Sequence, residues 1–284
     1  MVAVESLSEL RQHVQNARQA GLTIGCVPTM GALHAGHISL VEAAKKETDF
    51  VVVTIFVNPT QFGPNEDFSK YPRPLELDLQ MCREAGVDVV FHPEVPTVYP
   101  AGATTSVEVG GLSSVLEGAF RPGHFRGVAT VVLKLFNMVQ PDVAFFGQKD
   151  FQQQLVIKHM VRDLDVPVRV QTCPTKREAD GLAMSSRNVY LSPEERQTSV
   201  LLSQALKLAE TMVHQGGATP GGIEAAMKKH LETDPRVSID YAKLVDAHTL
   251  ADLNRIQSEM VALIAARVGT TRLIDNMLIS GHLS

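Results

Sequence analysis

Two patterns of apolar residues alternate along the first 172 residues, one typical of strands and one typical of helices. Short apolar runs of strand length are separated by segments whose apolar residues recur every three to four positions, as in amphipathic helices. This alternation predicts an α/β domain built on a doubly wound parallel sheet. The predicted strands are 23–27, 50–57, 87–91, 143–146 and 166–172, with an edge strand at 104–109; the predicted helices are 4–20, 38–47, 74–85, 112–120, 128–139 and 151–164.

The pattern changes after residue 174. A long helical segment at 193–215 is followed by a glycine-rich connector at 216–222 and a shorter helix at 223–231. Helices followed by consecutive strands indicate a separate, small α+β domain. We therefore expect a first domain over residues 1–174 and a second over residues 175–284. The closing strands are predicted at 239–245, 260–268 and 271–276, the last two forming a hairpin.

Composition narrows the class of protein. The 284 residues are 44% hydrophobic and 20% charged, as in soluble globular proteins, and the net charge is −5. An acidic chain without tryptophan is a poor candidate for binding nucleic acid or an anionic membrane surface. Three widely spaced cysteines suit a reducing compartment and indicate neither a disulfide frame nor a zinc site. Because neither a signal pattern nor a membrane-length apolar run is present, we expect a cytoplasmic protein.

Two histidines three residues apart follow the first predicted strand. Pro28 and Gly31 form the turn, and His34 and His37 then lie in the first turn of the next helix. Backbone N–H groups and the positive end of the helix dipole attract phosphates there, and imidazoles can donate hydrogen bonds to a reacting phosphate. A capped helix end and a packed pair are alternatives, whereas a metal site lacks a third ligand nearby.

Polar residues also follow two other predicted strands. Since ligands bind outside the carboxyl ends of parallel strands, we expect Asn58 and Gln61 to face the same crevice as the histidines. After a later strand, Lys149 could reach a phosphate and Asp150 could cap the next helix, with a plain surface turn as the alternative. Gln153, in that helix, offers an uncharged amide to a substrate, or simply a solvated helix surface.

Three further features are candidates for binding an anion or a metal ion. The Ser-Ser-Arg segment at 185–187 could clamp a phosphate and close over a nucleotide, or could be a serine cap. Arg121 and His124, in a turn-rich loop at 121–127, could bind an anion or stabilise the loop through ion pairs. Asp78 could help to hold magnesium, or could be a favourable charge early in a helix.

Together these features predict an ATP site with a small polar substrate. A Gly-x-Gly-x-x-Gly turn after the first strand and the Walker pattern are both missing from the sequence, which disfavours hydride transfer and P-loop chemistry. A Ser-His-Asp order and an activated cysteine are missing as well. The predicted chemistry therefore relies on positioned donors rather than on an enzyme nucleophile.

Five ordered motifs carry a family resemblance, and a closing LIDN at 273–276 extends it over essentially the whole chain. They resemble the motifs of the pantoate–β-alanine ligase (pantothenate synthetase) family, within the wider His-x-x-His nucleotidylyltransferase group. The motifs are PTMG at 28–31 with HAGH at 34–37, FVNPTQF at 56–62, RPGHFRG at 121–127, GQKDFQQ at 147–153 and DGLAMSSRN at 180–188.

The resemblance implies a fold and a reaction. It implies a Rossmann-like N-terminal domain that binds ATP and pantoate, and a C-terminal lid domain. It implies the ATP-dependent condensation of (R)-pantoate with β-alanine through a pantoyl-adenylate, with release of AMP and diphosphate, on the route to coenzyme A. It also implies Mg²⁺ and a cytoplasmic homodimer.

The resemblance also implies roles for residues, with His37 as the proton donor. Gln61 would contact pantoate and β-alanine, and Gln153 would contact pantoate. Asn58 and Arg121 complete the candidate substrate site, and Asp78 is the candidate metal ligand. The candidate catalytic residues are His34, His37, Lys149 and Arg187. The candidate ATP-binding residues are Met30, Gly31, Ala32, Leu33, His34, Ala35, Gly36, His37, Gly147, Gln148, Lys149, Asp150, Lys176, Met184, Ser185, Ser186 and Arg187.

Two other functions stay open at this point. The first is a nucleotidylyltransferase that stops at an adenylated product, and the second is a non-catalytic module that senses metabolites by binding a nucleotide. Diphosphate release separates the second from an enzyme, and amide formation with β-alanine separates the first from a ligase.

Overall fold

The chain folds into two compact units in a computed structural model that describes residues 1–64 and 66–281. The first unit comprises residues 1–114, 121–148 and 152–174. The second comprises residues 115–120, residues 149–151 and the chain from Thr175 onward. The two short segments at 115–120 and 149–151 thus belong to the second unit although they are embedded in the sequence of the first.

A parallel six-stranded sheet forms the centre of the first unit. Its strands are β1 (Val2–Val4), β2 (Ile24–Thr29), β3 (Phe50–Ile55), β4 (Val89–Phe91), β5 (Val143–Gly147) and β6 (Arg169–Cys173). The strand order is β1-β4-β3-β2-β5-β6, and every neighbouring pair is parallel, which confirms the predicted doubly wound fold. The order reverses between β2 and β5, and ligands bind at such switch points, beyond the carboxyl ends of the strands.

Helices cover this sheet and bury its apolar side chains. The helices of this unit are α1 (Leu7–Gln19), α2 (Ala35–Glu47), α3 (Leu75–Glu84), α4 (Val95–Val98), α6 (His124–Val139) and α7 (Phe151–Asp163, apart from its first residue), and α5 (Glu117–Phe120) belongs to the second unit. In α2, Leu40, Val41 and Ala44 pack against Val53 of β3 and Phe145 of β5. Burying a large apolar side chain of this kind stabilises the fold by roughly 1.5–3 kcal/mol.

Three sequence predictions in this part of the chain were wrong. Residues 2–4 form β1 and α1 begins only at Leu7, because Ser6 accepts the backbone N–H of Glu9 as its N-cap. Residues 104–109 alternate like a strand but form none, and Val107 N–H instead donates to Thr130 Oγ1 at 2.9 Å. Of the helix predicted at 112–120, only Glu117–Phe120 is helical.

The segment predicted as an irregular loop at 121–127 contains the start of α6. Gly123 caps the helix in a left-handed conformation with φ of 82°. Gly127, inside the helix, lies against the backbone of Thr60 and Gln61, where a Cβ atom would overlap the Thr60 carbonyl. Glycine therefore allows α6 to approach the chain that leaves β3, a contact that local propensity does not predict.

The second unit is an antiparallel sheet covered by helices. Its further elements are α8 (Pro193–Thr198), α9 (Val200–Gln215), α10 (Pro220–Leu231), β7 (Val237–Asp246), β8 (Glu259–Val268) and β9 (Thr271–Ser280). The strand order is β7-β8-β9, and the predicted hairpin joins β8 to β9. Leu206 of α9 and Ile223 of α10 are buried against this sheet.

The single helix predicted at 193–215 is two helices that meet at Ser199. The Ser199 hydroxyl donates to the Glu195 carbonyl at 2.7 Å, a local bond that competes with regular helix geometry. The connector predicted at 216–222 is also shorter than expected, because α10 begins at Pro220 with Thr219 as its N-cap.

Across the described residues, no helix combines the length and apolar character needed to cross a membrane.

We predict that Gly127→Ala destabilises the protein by about 1–3 kcal/mol, because the added methyl group overlaps the Thr60 backbone. Denaturant unfolding followed by circular dichroism measures this change. Gly221→Ala is the matched control, since a Cβ atom there meets nothing within 4 Å in helix α10. That substitution should stabilise the helix by about 0.5–1 kcal/mol. Equal stability of the Gly127→Ala variant and the wild type would contradict the proposed close packing.

Candidate active site

The two histidines cap the helix that follows β2. His34 is the N-cap of α2, and its Nδ1 accepts the backbone N–H of Gly36 at 3.1 Å. His37 Nδ1 accepts the backbone N–H of His34 at 3.3 Å, so the pair forms a reciprocal capping box. The ring centroids are 4.2 Å apart. The capped-end alternative is therefore correct, and it also orients both rings.

These cap bonds assign the tautomer that each ring adopts in its neutral form. Because Nδ1 accepts a backbone N–H in both histidines, the ring proton is placed on Nε2. Each Nε2 is then a hydrogen-bond donor at the start of a helix, where the dipole also favours negative charge. The arrangement presents two donors of fixed orientation without requiring either imidazole to carry a charge.

Asp78 holds the turn before these histidines. Its Oδ2 accepts the backbone N–H of Ala32 at 2.9 Å, and its Oδ1 accepts that of Leu33 at 2.7 Å. Gly31 and Ala32 both have positive φ, 81° and 50°, so the turn needs external support. The carboxylate is 1% exposed, and burial raises its pKa despite the two backbone hydrogen bonds. The prediction of Asp78 as a metal ligand is not tested by this geometry.

Gln61 lies in a short 3-10 turn after β3, and its side chain reaches the histidine turn. Its Oε1 accepts Asn58 Nδ2 at 3.0 Å, and its Nε2 contacts Met30 Sδ at 3.0 Å. A thioether is a weak acceptor, so a substrate oxygen can replace it at Nε2. Met30 immediately precedes Gly31, and this contact therefore joins the exits of β2 and β3 as the sequence predicted.

Asn58 uses its amide within the protein. Its Nδ2 donates to Gln61 Oε1 and to the Gly127 carbonyl, while its Oδ1 accepts Thr60 N–H, Thr60 Oγ1 and Tyr99 OH. The side chain is 1% exposed. In this arrangement Asn58 orients Gln61, and a direct contact of Asn58 with substrate stays a prediction.

Arg121 and His124 support the same turn from the start of α6. Arg121 donates to both carboxylate oxygens of Glu66, at 2.7 and 2.6 Å, which is the ion-pair alternative for this loop. Burial opposes ionisation of Glu66, but the hydrogen bonds and charge of Arg121 hold its pKa below the ordinary value. His124 Nδ1 lies 2.8 Å from the Gln61 carbonyl. The role of Arg121 toward substrate stays a prediction.

Three consecutive glutamines begin α7, and they differ in burial. Gln152 is buried and donates to the Leu112 carbonyl at 2.7 Å, and Gln154 is buried and accepts Thr172 Oγ1 at 3.0 Å. Gln153 between them is only partly buried. Its neighbours therefore fix the helix, while Gln153 is the least buried of the three.

In the second unit, Lys149 is held through its backbone. Asn276 Nδ2 of β9 donates to the Lys149 carbonyl at 2.8 Å. The Lys149 side chain is partly exposed, and no carboxylate in the described part of the chain forms an ion pair with its ammonium. Gly147 and Gln148 belong to the first unit, and Asp150 is exposed beside Lys149.

The second ATP candidate segment follows a small hairpin. Lys176 is exposed and its carbonyl accepts the backbone N–H of Met184 at 3.0 Å, which closes the hairpin. Ser185 then caps a 3-10 turn, with its Oγ accepting the backbone N–H of Arg187 at 3.3 Å. The serine-cap alternative is thus realised by Ser185, and the partly buried Ser186 and Arg187 follow it.

The structure also contains supporting residues that sequence reasoning missed. They are Glu66, Tyr99, Arg177, Asp275 and Asn276, and each bonds to a candidate residue or to its loop. The LIDN motif pointed to the last two without indicating a role. Among the described residues, no group of three or more His, Cys, Asp or Glu side chains is arranged to hold a metal ion.

The comparisons with known proteins cover nearly the whole chain. A family model described as pantoate-beta-alanine ligase matches residues 2–278. The chain is 53% identical to the pantothenate synthetase of Moorella thermoacetica over 279 residues, covering 98% of this chain and 99% of that protein. It is 54% identical to the Acidobacterium capsulatum pantothenate synthetase, covering 98% and 97%.

Solved structures agree with these sequence matches. The crystal structure of pantothenate synthetase from Thermus thermophilus has a TM-score of 0.92 at 47% identity, covering 98% of this chain and 99% of that one. A pantoate-beta-alanine ligase from Francisella tularensis, complexed with beta-gamma ATP and beta-alanine, has a TM-score of 0.79 at 33% identity, covering 98% and 97%. The chain belongs to the pantoate-beta-alanine ligase family.

Proposed function

We propose that this protein condenses (R)-pantoate with β-alanine at the expense of ATP, giving pantothenate, AMP and diphosphate on the route to coenzyme A. The observation that carries the proposal is the histidine pair, whose rings are oriented by the cap of α2 after β2, at the switch point of the sheet. The Gln61 amide contacts Met30, which precedes the same turn. The relative from Francisella tularensis with beta-gamma ATP and beta-alanine bound supports the same choice of substrates.

In the first step, a carboxylate oxygen of pantoate attacks the α-phosphorus of ATP. The bond to the bridging oxygen breaks, the electron pair leaves with diphosphate, and pantoyl-adenylate forms. We propose that His34, His37 and Lys149 donate hydrogen bonds to the phosphates, and that Ser185, Ser186 and Arg187 contribute further donors. Such fixed donors stabilise charge that moves onto the leaving group.

In the second step, the neutral amine of β-alanine attacks the acyl carbon of pantoyl-adenylate. The bond to the phosphate oxygen breaks, its electron pair leaves with AMP, and the proton that the nitrogen loses as the amide forms passes to the departing phosphate or to water. Gln61 and Gln153 hold pantoate, and Gln61 also contacts β-alanine in this proposal. Positioning accounts for the step without an enzyme nucleophile.

We propose that Mg²⁺ accompanies ATP. Mg²⁺ keeps several waters and binds through one or two carboxylates together with substrate phosphates, so it does not need a complete protein site. Asp78 is the candidate ligand on this chain, since each of its oxygens accepts one backbone N–H and keeps a second lone pair. When bound, the ion supplies positive charge to the diphosphate leaving group.

We further propose a cytoplasmic homodimer. Cys26, Cys82 and Cys173 are free and buried, and burial raises the pKa of the Cys26 thiol to about 12, as suits reduced structural cysteines. Light scattering on the purified protein measures the oligomeric state, with twice the chain mass expected.

An AMP-release assay separates the candidate functions. With ATP, Mg²⁺ and pantoate alone, we expect one equivalent of diphosphate and bound pantoyl-adenylate; adding β-alanine should give steady AMP release and pantothenate. Diphosphate release without amide formation would instead indicate a nucleotidylyltransferase. ATP binding without diphosphate release would indicate a non-catalytic nucleotide-binding module.

We predict that His37→Ala and Lys149→Ala each lower the rate of pantoyl-adenylate formation by about 10²–10³, the usual effect of removing one such donor. Rapid-quench measurement of diphosphate release tests this rate. Lys158→Ala, at a partly buried lysine of α7 outside the proposed site, is the matched control and should keep the wild-type rate. Wild-type rates in either of the first two variants would remove that residue from the proposal.

We predict that Gln61→Glu raises the KM for pantoate by roughly tenfold or more while changing the KM for ATP much less. The substitution keeps the size of the side chain but sets a carboxylate against the carboxylate of the substrate. Steady-state kinetics in each substrate measures the two constants. Gln154→Glu, at a buried amide of α7 outside the proposed site, controls for the introduced charge. Equal rises in both KM values for Gln61→Glu would contradict its role in binding pantoate.

A further inference from the structure

Strand β9 carries two polar residues where an apolar pair would be expected. Asp275 and Asn276 are 3% and 2% exposed, and they interrupt a strand that otherwise contributes Leu273, Met277 and Ile279 to the core of the second unit. Buried polar groups destabilise a fold unless they are hydrogen-bonded. Their partners therefore indicate why this strand contains them.

Asn276 is bonded to the backbone of Lys149. Its Nδ2 donates to the Lys149 carbonyl at 2.8 Å across 127 residues of sequence, within the second unit. Residues 149–151 belong to the second unit although the residues on either side of them belong to the first, and the Asn276 side chain of β9 bonds to this segment. The bond fixes the backbone from which the Lys149 ammonium projects.

Asp275 is bonded to the hairpin that precedes residues 185–187. Both of its oxygens accept the Arg177 guanidinium, at 2.6 and 2.9 Å. Arg177 also donates to the Gly181 carbonyl at 3.0 Å and to the Asn276 carbonyl at 3.2 Å. One planar guanidinium thus spans the hairpin turn and the strand, a geometry that a lysine cannot reproduce.

The hairpin at residues 176–184 connects the Arg177 contacts to the Ser-Ser-Arg segment at 185–187. Arg177 pairs with Ala183 in an isolated antiparallel bridge, and Lys176 accepts the backbone N–H of Met184. The Ser-Ser-Arg segment begins with Ser185, the residue that follows Met184. Gly181, at φ of 96°, lies close to Ser203 of α9, where an added Cβ atom would approach the Ser203 hydroxyl to 3.1 Å.

We propose that Asp275 and Asn276 are positioning residues for the two ATP-binding segments of the second unit. Asn276 positions Lys149, and Asp275 acts through Arg177 on residues 185–187. This inference rests on the proposed function, because it assumes that Lys149 and Arg187 contact ATP. In this proposal both residues act through the protein groups to which they bond, the Arg177 guanidinium and the Lys149 carbonyl.

Asn276→Asp tests the first half, because it keeps the side-chain size and replaces the donor with an acceptor that faces a carbonyl. Isothermal titration with β,γ-methylene-ATP and Mg²⁺ should show about tenfold weaker binding, the size expected for contacting residues. In a Lys149→Ala background, the same substitution should change the affinity less than about twofold, because the coupled partner is gone. Equal effects in both backgrounds would mean that Asn276 is merely structural, and would overturn this half.

Arg177→Lys tests the second half and does not depend on the stability of the Asn276→Asp variant. It keeps the charge but loses the fork that joins Asp275 to Gly181. We expect several-fold weaker nucleotide binding that persists in the Lys149→Ala background and disappears in an Arg187→Ala background. Persistence in the Arg187→Ala background would overturn this half.

The outcomes also separate this inference from the proposed function. If Lys149→Ala and Arg187→Ala bind the nucleotide as tightly as the wild type, the assignment of those residues to ATP fails, and the positioning roles fail with it. If both single variants bind weakly but the paired substitutions are additive, the assignment stands and only the positioning inference fails. Thermal unfolding of each variant with and without nucleotide identifies the folded fraction used in each titration.

Discussion

The arrangement of the candidate active site depends on two backbone N–H groups at the start of helix α2. Each is accepted by the Nδ1 atom of a histidine, and this assigns the ring proton to Nε2 in both. A single constraint thus caps the helix, sets the orientation of two rings and determines which nitrogen can donate. The capped-end alternative and the catalytic hypothesis describe the same hydrogen bonds.

Other residues of the first unit stabilise the turns around this helix start. Asp78 holds the two left-handed residues before His34, because its oxygens take the N–H groups of Ala32 and Leu33. Gly127 lets α6 lie on the backbone of the turn that carries Gln61. Buried polar residues are thus concentrated where the chain leaves β2 and β3. Asn58 bonds to Oε1 of Gln61, and Nε2 of Gln61 faces the weak sulfur acceptor of Met30.

The sequence predicted the elements that depend on local pattern. Strands β2 to β6 of the parallel sheet and the β8–β9 hairpin follow from apolar runs and turn residues, whereas β1 was missed; the His-x-x-His turn was placed correctly between β2 and α2. The features that the sequence did not predict depend on contacts between residues far apart in the chain. The start of α6 depends on Gly127, which lacks a side chain and so lets the helix lie against Thr60. The side chain that bonds to the Lys149 carbonyl lies 127 residues away, at Asn276. Residues 104–109 alternate like a strand but form none, and Val107 bonds instead to the Thr130 side chain of α6, 23 residues away.

The most direct test of this account is the tautomer of His34 and His37. Two-bond ¹H–¹⁵N correlation spectra of the histidine rings, assigned with His34→Gln and His37→Gln variants, distinguish protonated from unprotonated ring nitrogens at neutral pH. The account predicts an unprotonated Nδ1 and a protonated Nε2 in both rings, with and without bound nucleotide. A ring proton on Nδ1 of either histidine would contradict it.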